Sequence, residues 1–331
     1  MMKVIDMHCD TILELVNAKE KINLRSNHLN VDLEKMQKGD YLVQCFAMFV
    51  HFNVENPFET CMKMIDRYYL ELEENKDLIL PALCYNDIIE NQKNGKMSAI
   101  LTIEEGGVTK GSLELLRNFY RLGVRMITLT WNFVNGVGYP NIITKEDGAK
   151  DFKSGNKVDG LTEYGIKMVQ EMNRLGMIVD VSHLSDAGFY DVAKYSTKPF
   201  VASHSNARSV CNHARNLDDD MIRLLASKGG VMGINYCADF LKEAPKGTKY
   251  GENKSMIEDM VKHIKHIVKV GGIDCVGLGS DFDGIFPNLE MKDASELGKL
   301  EKALRNEGFS TNDIEKIFYK NVIRVFQEVL K

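Results

Sequence analysis

Apolar residues along the chain fall into two alternating kinds of run. The first is short, continuous and β-rich, and occurs at 3–9, 42–50, 98–103, 125–129, 177–182, 200–203, 230–235 and 275–278. Unbroken apolarity, rather than strict alternation, marks strands covered on both faces of a parallel sheet. The second kind has helical period and occurs at 57–73, 113–122, 162–175, 218–227 and 255–270. In the last of these, Met256, Met260, Ile264 and Ile267 recur at three- and four-residue spacing. Asp218 precedes its run as an N-cap, where a carboxylate can accept the free N–H groups of the first turn.

Eight strands alternating with helices predict a (β/α)8 TIM barrel, a fold of about 250 residues. The surplus goes into inserted loops and extra terminal helices, with 310–330 as a terminal pair. The polar stretch 134–160 reads as a long loop and not as a boundary, so 1–331 is expected to form a single domain. An open doubly wound sheet is the main alternative.

Composition narrows the function classes. The 331 residues are 44% hydrophobic and 27% charged, too apolar for a disordered chain. Lys and Arg number 42 against 47 Asp and Glu, a net charge of -5 without the basic excess of a nucleic-acid binder. No run reaches the roughly 18–20 apolar residues of a membrane span. No secretory signal or lipid-anchor pattern is read at either end, which makes a cytoplasmic location the expectation. The seven cysteines form no C-x-x-C pair and sit mostly in apolar runs, as buried reduced thiols would. The 17 methionines read as core filler.

The candidate chemistry lies at strand ends. His8 and Asp10 close the first strand, and residues two apart in an extended chain point the same way. Glu104 ends the third strand, where it could instead mark a helix start. His183 and His204 end the fifth and sixth, each after a serine. Asp180 is out of phase with His183 and reads as structural. Asp281 follows the eighth strand in a glycine-rich stretch, and Asp283 reads as an ordinary turn residue. In a barrel these ends converge on one face. Imidazoles and carboxylates gathered there call for a divalent metal. Such mixed ligands suit Zn²⁺ in an open catalytic site, and six groups suit two ions better than one.

With these residues in view, the chain resembles the renal-type (membrane) dipeptidases, peptidase family M19, among the amidohydrolase-like barrels. The resemblance spans nearly the whole chain. It rests on Asp6-Met7-His8-Cys9-Asp10-Thr11, Asp180-Val181-Ser182-His183, Ser203-His204-Ser205, Arg215-Asn216 and Gly279-Ser280-Asp281-Phe282-Asp283-Gly284. It implies a metallo-dipeptidase with two zinc ions per subunit. His8 and Asp10 would hold one ion, His183 and His204 the other, and Glu104 (chosen over Glu105) would bridge them. Asp281 matches the acid/base. Arg215 matches the residue that receives the substrate's terminal carboxylate, and Tyr236 a substrate-contacting tyrosine. The resemblance also makes a homodimer possible.

One position departs from the family. Mammalian relatives carry a histidine after the stretch that matches Thr128-Leu129-Thr130, where this chain has Trp131 and Asn132. Stabilisation of the tetrahedral oxygen would then fall to zinc, Asn132 or Tyr236. The expected function is hydrolysis of small-molecule dipeptides to free amino acids, with no nucleic-acid or membrane partner. The alternatives are a binuclear amidohydrolase acting on N-acyl amino acids or lactams, and a non-catalytic metal-dependent binding protein. Of the other histidines, His28 and His51 could line the pocket and His213 could adjust the carboxylate site. His263 and His266, on an amphipathic helix, are expected to face solvent.

Overall fold

The computed structural model describes residues 2–20, 22–249 and 251–331. Eight parallel strands form the barrel: β1 (Val4–Cys9), β2 (Tyr41–Phe49), β3 (Met97–Glu104), β4 (Val124–Thr128), β5 (Ile178–Asp180), β6 (Val201–Ala202), β7 (Val231–Ile234) and β8 (Val276–Leu278). Each pairs with the next, and β8 returns to β1 through Asp6 and Leu278. The sheet is therefore a closed (β/α)8 barrel, not the open doubly wound alternative. All eight apolar runs became barrel strands. A short strand, Ile79–Pro81, extends the sheet beside the start of β3.

Side-chain alternation separates two cores. Ile5, Met7, Val43, Cys45, Ile100, Met126, Ile178, Val201 and Val231 belong to one buried cluster. Val322, Val325, Phe326 and Val329 of the last helix pack on the same cluster. Arg324 Nη1 on that helix donates to the carbonyl of Gly229, just before β7, at 2.6 Å. The terminal helix thus covers the N-terminal end of the barrel and leaves the C-terminal end for chemistry. Phe46, Met48, Leu101 and Ile103 belong to the larger cluster, together with helix residues such as Met64, Tyr68 and Phe119.

The predicted helices form at Pro57–Glu74, Leu113–Arg121, Glu163–Leu175, Asp219–Ser227 and Ile257–Gly271. Asp218 caps its helix by accepting from Met221 N at 2.9 Å. Two expectations change. Residues 311–329 form one continuous helical run, with a π-helical turn at Lys316–Lys320, rather than a helix pair. The long loop is tied down. It carries a small hairpin, Ile143–Thr144 with Lys150–Asp151. Buried Asn141 in it donates from its backbone to His183 O at 2.8 Å and from its side chain to Asp186 Oδ1 at 2.8 Å.

Candidate metal centre

Strand geometry carries the candidate ligands to one place. His8 lies within β1 and Asp10 directly follows it; Glu104 is the last residue of β3. His183, His204 and Asp281 lie two or three residues beyond β5, β6 and β8. Three overlapping groups result: His8 with Asp10 and Glu104, Glu104 with His183 and His204, and His8 with His204 and Asp281, all with ligand atoms within 4.8 Å of one another. His183 and Asp281 have φ of 69° and 62°, a left-handed conformation that non-glycine residues adopt at a cost.

Glu104 faces both ways. Its Oε2 lies 3.5 Å from His8 Nε2, while its Oε1 lies 2.9 Å from His183 Nε2 and 3.4 Å from His204 Nε2. Glu105 turns out of the cluster, with φ of 117°. Its carboxylate accepts from Gly107 N at 2.7 Å, from Trp131 N at 3.1 Å and from the Asn135 amide. Burial, above all, pushes it up to about 7.

The imidazoles are oriented from behind. His183 Nδ1 lies 2.8 Å from Asn132 Oδ1, an acceptor, so Nδ1 carries the hydrogen. His204 Nδ1 lies 2.7 Å from Ser203 Oγ, and Ser203 donates its own hydrogen to Asp180 Oδ2 at 2.6 Å. Both rings therefore present bare Nε2 lone pairs, 3.0 Å apart, to each other and to Glu104. A cation set between lone pairs crowded this closely would relieve their repulsion. On the other side, His8 Nδ1 and Nε2 and Asp10 Oδ1 are buried without a hydrogen-bond partner. Neutral imidazole and carboxylate donors fit a divalent metal.

The electrostatics agree for His183 and His204, while His8 itself takes up the positive charge that the carboxylates demand. Burial, helped by the Arg215 charge, brings His183 down to about 3, and burial with the His8 charge lowers His204 as well. Burial alone would raise Glu104, but the His8 charge and the other two imidazoles outweigh it and hold it well below the usual range. Burial opposes charge on His8 too, yet Glu104 and Asp10 hold it well above an ordinary histidine. The carboxylates demand positive charge. Burial pushes Asp281 up to about 7, with Asp10 and Glu104 adding to the rise against His8 and a bond from Asn235.

Arg215 is 2% exposed. Its Nη atoms reach Ser205 Oγ at 3.4 Å and His204 O at 3.2 Å, and its Nε has no partner, leaving donors for an anion. Asn132 is committed to His183. Tyr236 is not brought to the cluster by any hydrogen bond among the described residues. It is buried edge-on to Phe282, 5.4 Å between centroids, and burial and the Asp6 charge raise its phenol well above the usual value. Trp131 stands 5.9 Å from the His183 ring, in an aromatic wall with Phe49, His51 and Phe133.

Sequence reasoning missed several supporting residues. Ser203 orients His204. Asn235, first after β7, donates to Asp281 Oδ2 at 2.8 Å. Its place as a polar residue at a strand end was the available signal. Asp180 is structural as read, but it does more than fill space. It gathers Ser182 N, Ser203 N, Ser203 Oγ and Thr128 Oγ1 behind the two histidines. Asp283 is more than a turn residue, accepting from Thr11 Oγ1 and Asn30 N at 2.6 Å each. His263 does not face solvent. It is buried, accepting from Ala207 N at 3.1 Å and donating to Leu241 O at 2.9 Å, because its side of the helix packs against the loops after β6 and β7. His266 is half-buried beside Asp219, 2.7 Å away.

A closed parallel barrel with His and carboxylate groups at the C-terminal strand ends defines a metal-dependent hydrolase of the amidohydrolase-like kind. The comparisons make this particular. The sequence model described as membrane dipeptidase, peptidase family M19, matches residues 1–331, and the chain belongs to this family of metallo-dipeptidases. It is 34% identical over 347 residues to an uncharacterized dipeptidase of Schizosaccharomyces pombe, covering 98% of this chain and 80% of that one. A metallopeptidase of Rhodobacter sphaeroides, liganded with a phosphinate mimic of the dipeptide L-Ala-D-Ala, superposes with a TM-score of 0.89 at 25% identity over 99% of each chain. The dipeptidase AC, a metallopeptidase of family M19, superposes at 0.88 with 26% identity, again over 99% of each chain. Among the described residues, no helix is long and apolar enough to cross a membrane.

Proposed function

We propose that the protein hydrolyses dipeptides with two zinc ions. His8 and Asp10 would hold one ion, His183 and His204 the other, and Glu104 would be shared between them. The observation that carries this reading is the placement of Glu104, with one oxygen toward His8 and the other toward His183 and His204. When bound, such a pair supplies Lewis acidity for the scissile carbonyl and lowers the pKa of the attacking water toward about 7.

The chain's own groups do the rest. Asp281, held by Asn235 and 3.7 Å from His8 Nε2, takes the proton of the attacking water and returns it to the leaving amine. Arg215 offers its planar fork to the C-terminal carboxylate of the substrate and so favours dipeptides over proteins. Asn132 keeps His183 in its ligating tautomer. The seven unpaired thiols suit a reducing compartment such as the cytoplasm.

The test is chelation followed by reconstitution. Elemental analysis should find two zinc ions per chain, and dipeptide hydrolysis should vanish on chelation and return with zinc. Turnover by the metal-free chain, or of N-acyl amino acids or lactams and not dipeptides, would overturn the reading.

A further inference from the structure

A cleft of about 500 Å³ opens beside the ligand cluster. One wall includes Asn132, whose Oδ1 contacts His183. Another is formed by His213 and Phe240. The Phe240 ring lies 5.4 Å from the Arg215 guanidinium, and His213 Nδ1 accepts from Arg215 N at 3.1 Å. The lining of the cleft thus touches His183 through Asn132 and Arg215 through His213 and Phe240. Further out, the rings continue: Phe152 lies 5.7 Å from His213, which lies 4.6 Å from Phe240. Lys153 and Glu243, paired at 2.9 Å, link the long loop to the segment after β7 at the rim.

We propose that this cleft receives the side chain of the substrate's C-terminal residue and selects dipeptides ending in a large apolar residue, aromatic above all. The inference rests on Arg215 as the carboxylate anchor. With the carboxylate on Arg215 and the scissile carbonyl at the metal cluster, the C-terminal side chain is the substituent that projects between them. The tilted rings offer it faces and edges. The charged residues of the lining balance, Asp239 and Glu243 against Lys153 and Lys249, with Lys153 paired to Glu243, so the cleft carries no net charge to select an acidic side chain. His213 adds no cation, because burial and then Arg215 bring it down to about 3. A basic side chain finds Glu243 paired and Asp239 bonded to Asn253.

The test uses the zinc-loaded full chain with Ala-Gly, Ala-Ala, Ala-Leu, Ala-Phe and the reversed Phe-Ala. Each chiral C-terminal residue is offered as L and D, and the better epimer is compared. We expect kcat/KM to rise with C-terminal size, by about 10-fold or more from Ala-Gly to Ala-Phe. Most of the gain should appear in KM, and Phe-Ala should not share it. Phe152 is 45% exposed and outside the catalytic groups, so Phe152→Ala should fold. That variant should remove much of the Ala-Phe advantage and leave Ala-Gly unchanged. Equal values across the panel, a gain that follows the N-terminal residue, or equal losses on Ala-Gly and Ala-Phe in Phe152→Ala would overturn the assignment. Ala-Phe amide separates the two layers. If the amide is cleaved as well as Ala-Phe, the Arg215 anchor fails, whereas a flat panel with the free carboxylate still required sinks only the cleft.

Discussion

His204 Nδ1 sits 2.7 Å from Ser203 Oγ, and the direction of that bond is fixed. Ser203 gives its only hydroxyl hydrogen to Asp180, so the imidazole must be the donor. Nε2 is then left bare toward Glu104. Ser203→Ala should weaken metal binding about 10- to 100-fold, the usual effect of removing a partner behind a ligating histidine. Ser203→Thr, which keeps the hydroxyl, should restore much of it. Chelator competition on the folded variants measures this. Wild-type affinity in Ser203→Ala would refute the role.

Asp281→Asn keeps the shape and the contact region of Asn235 but loses the proton acceptor. Turnover should fall at least about 100-fold while zinc content stays near two per chain. Elemental analysis beside steady-state kinetics separates a chemical defect from a lost ion. Normal turnover in this variant would remove Asp281 from the mechanism.

Arg215→Lys keeps the charge and loses the fork. The loss of charge-assisted hydrogen bonding to a carboxylate should lower kcat/KM for dipeptides about 10- to 100-fold, mainly through KM. A C-terminally amidated dipeptide should be equally poor with both proteins. An unchanged KM for the free dipeptide would argue against the anchor.

A methyl group at Gly284 would collide with Asp10 Oδ2 and lie 2.8 Å from Asp281 Oδ1. Gly284→Ala should therefore displace Asp10 and reduce metal content, with far-UV circular dichroism unchanged. Gly298→Ala, where a Cβ meets nothing within 4 Å, is the control. Equal metal content in the two variants would show that the approach at Gly284 is not needed.

His263 is brought down to about 4 by burial first, against its bond to Leu241 O. Unfolded, it titrates at about 6.5. Between these values the unfolded chain binds the extra proton, so the contribution of His263 is fully present above about pH 6.5. It is lost progressively as pH falls toward 4, up to about 3 kcal/mol in all. Denaturant unfolding at pH 7 and pH 4.5 should show a smaller drop for His263→Gln than for the wild type. Equal drops would mean that His263 does not contribute to acid destabilisation.

The strands were legible because their signal is local. Burial on both faces leaves an apolar run in the sequence, and the period of a helix leaves spaced apolar positions. The Asp218 cap needs only its own turn. His8 and Asp10 share a direction because they are two residues apart in a strand. The choice between Glu104 and Glu105 was already of another kind. It depends on a left-handed backbone at Glu105 and on Gly107, Trp131 and Asn135, which claim its carboxylate.

Local sequence pattern was enough to set which elements form, their order, and that ligand-type side chains lie at the ends of several strands. Those facts follow from backbone periodicity, which nearby residues set. Only the closed barrel decided that His8, Glu104, His183, His204 and Asp281 share one site, since they stand far apart along the chain until β8 pairs with β1. The tertiary structure also decided which imidazole nitrogens are bare, through Asn132 and through Ser203 on Asp180, and it buried His263 in spite of its amphipathic helix. Tautomer and burial belong to the partners a side chain meets in space, and those partners come from distant parts of the chain.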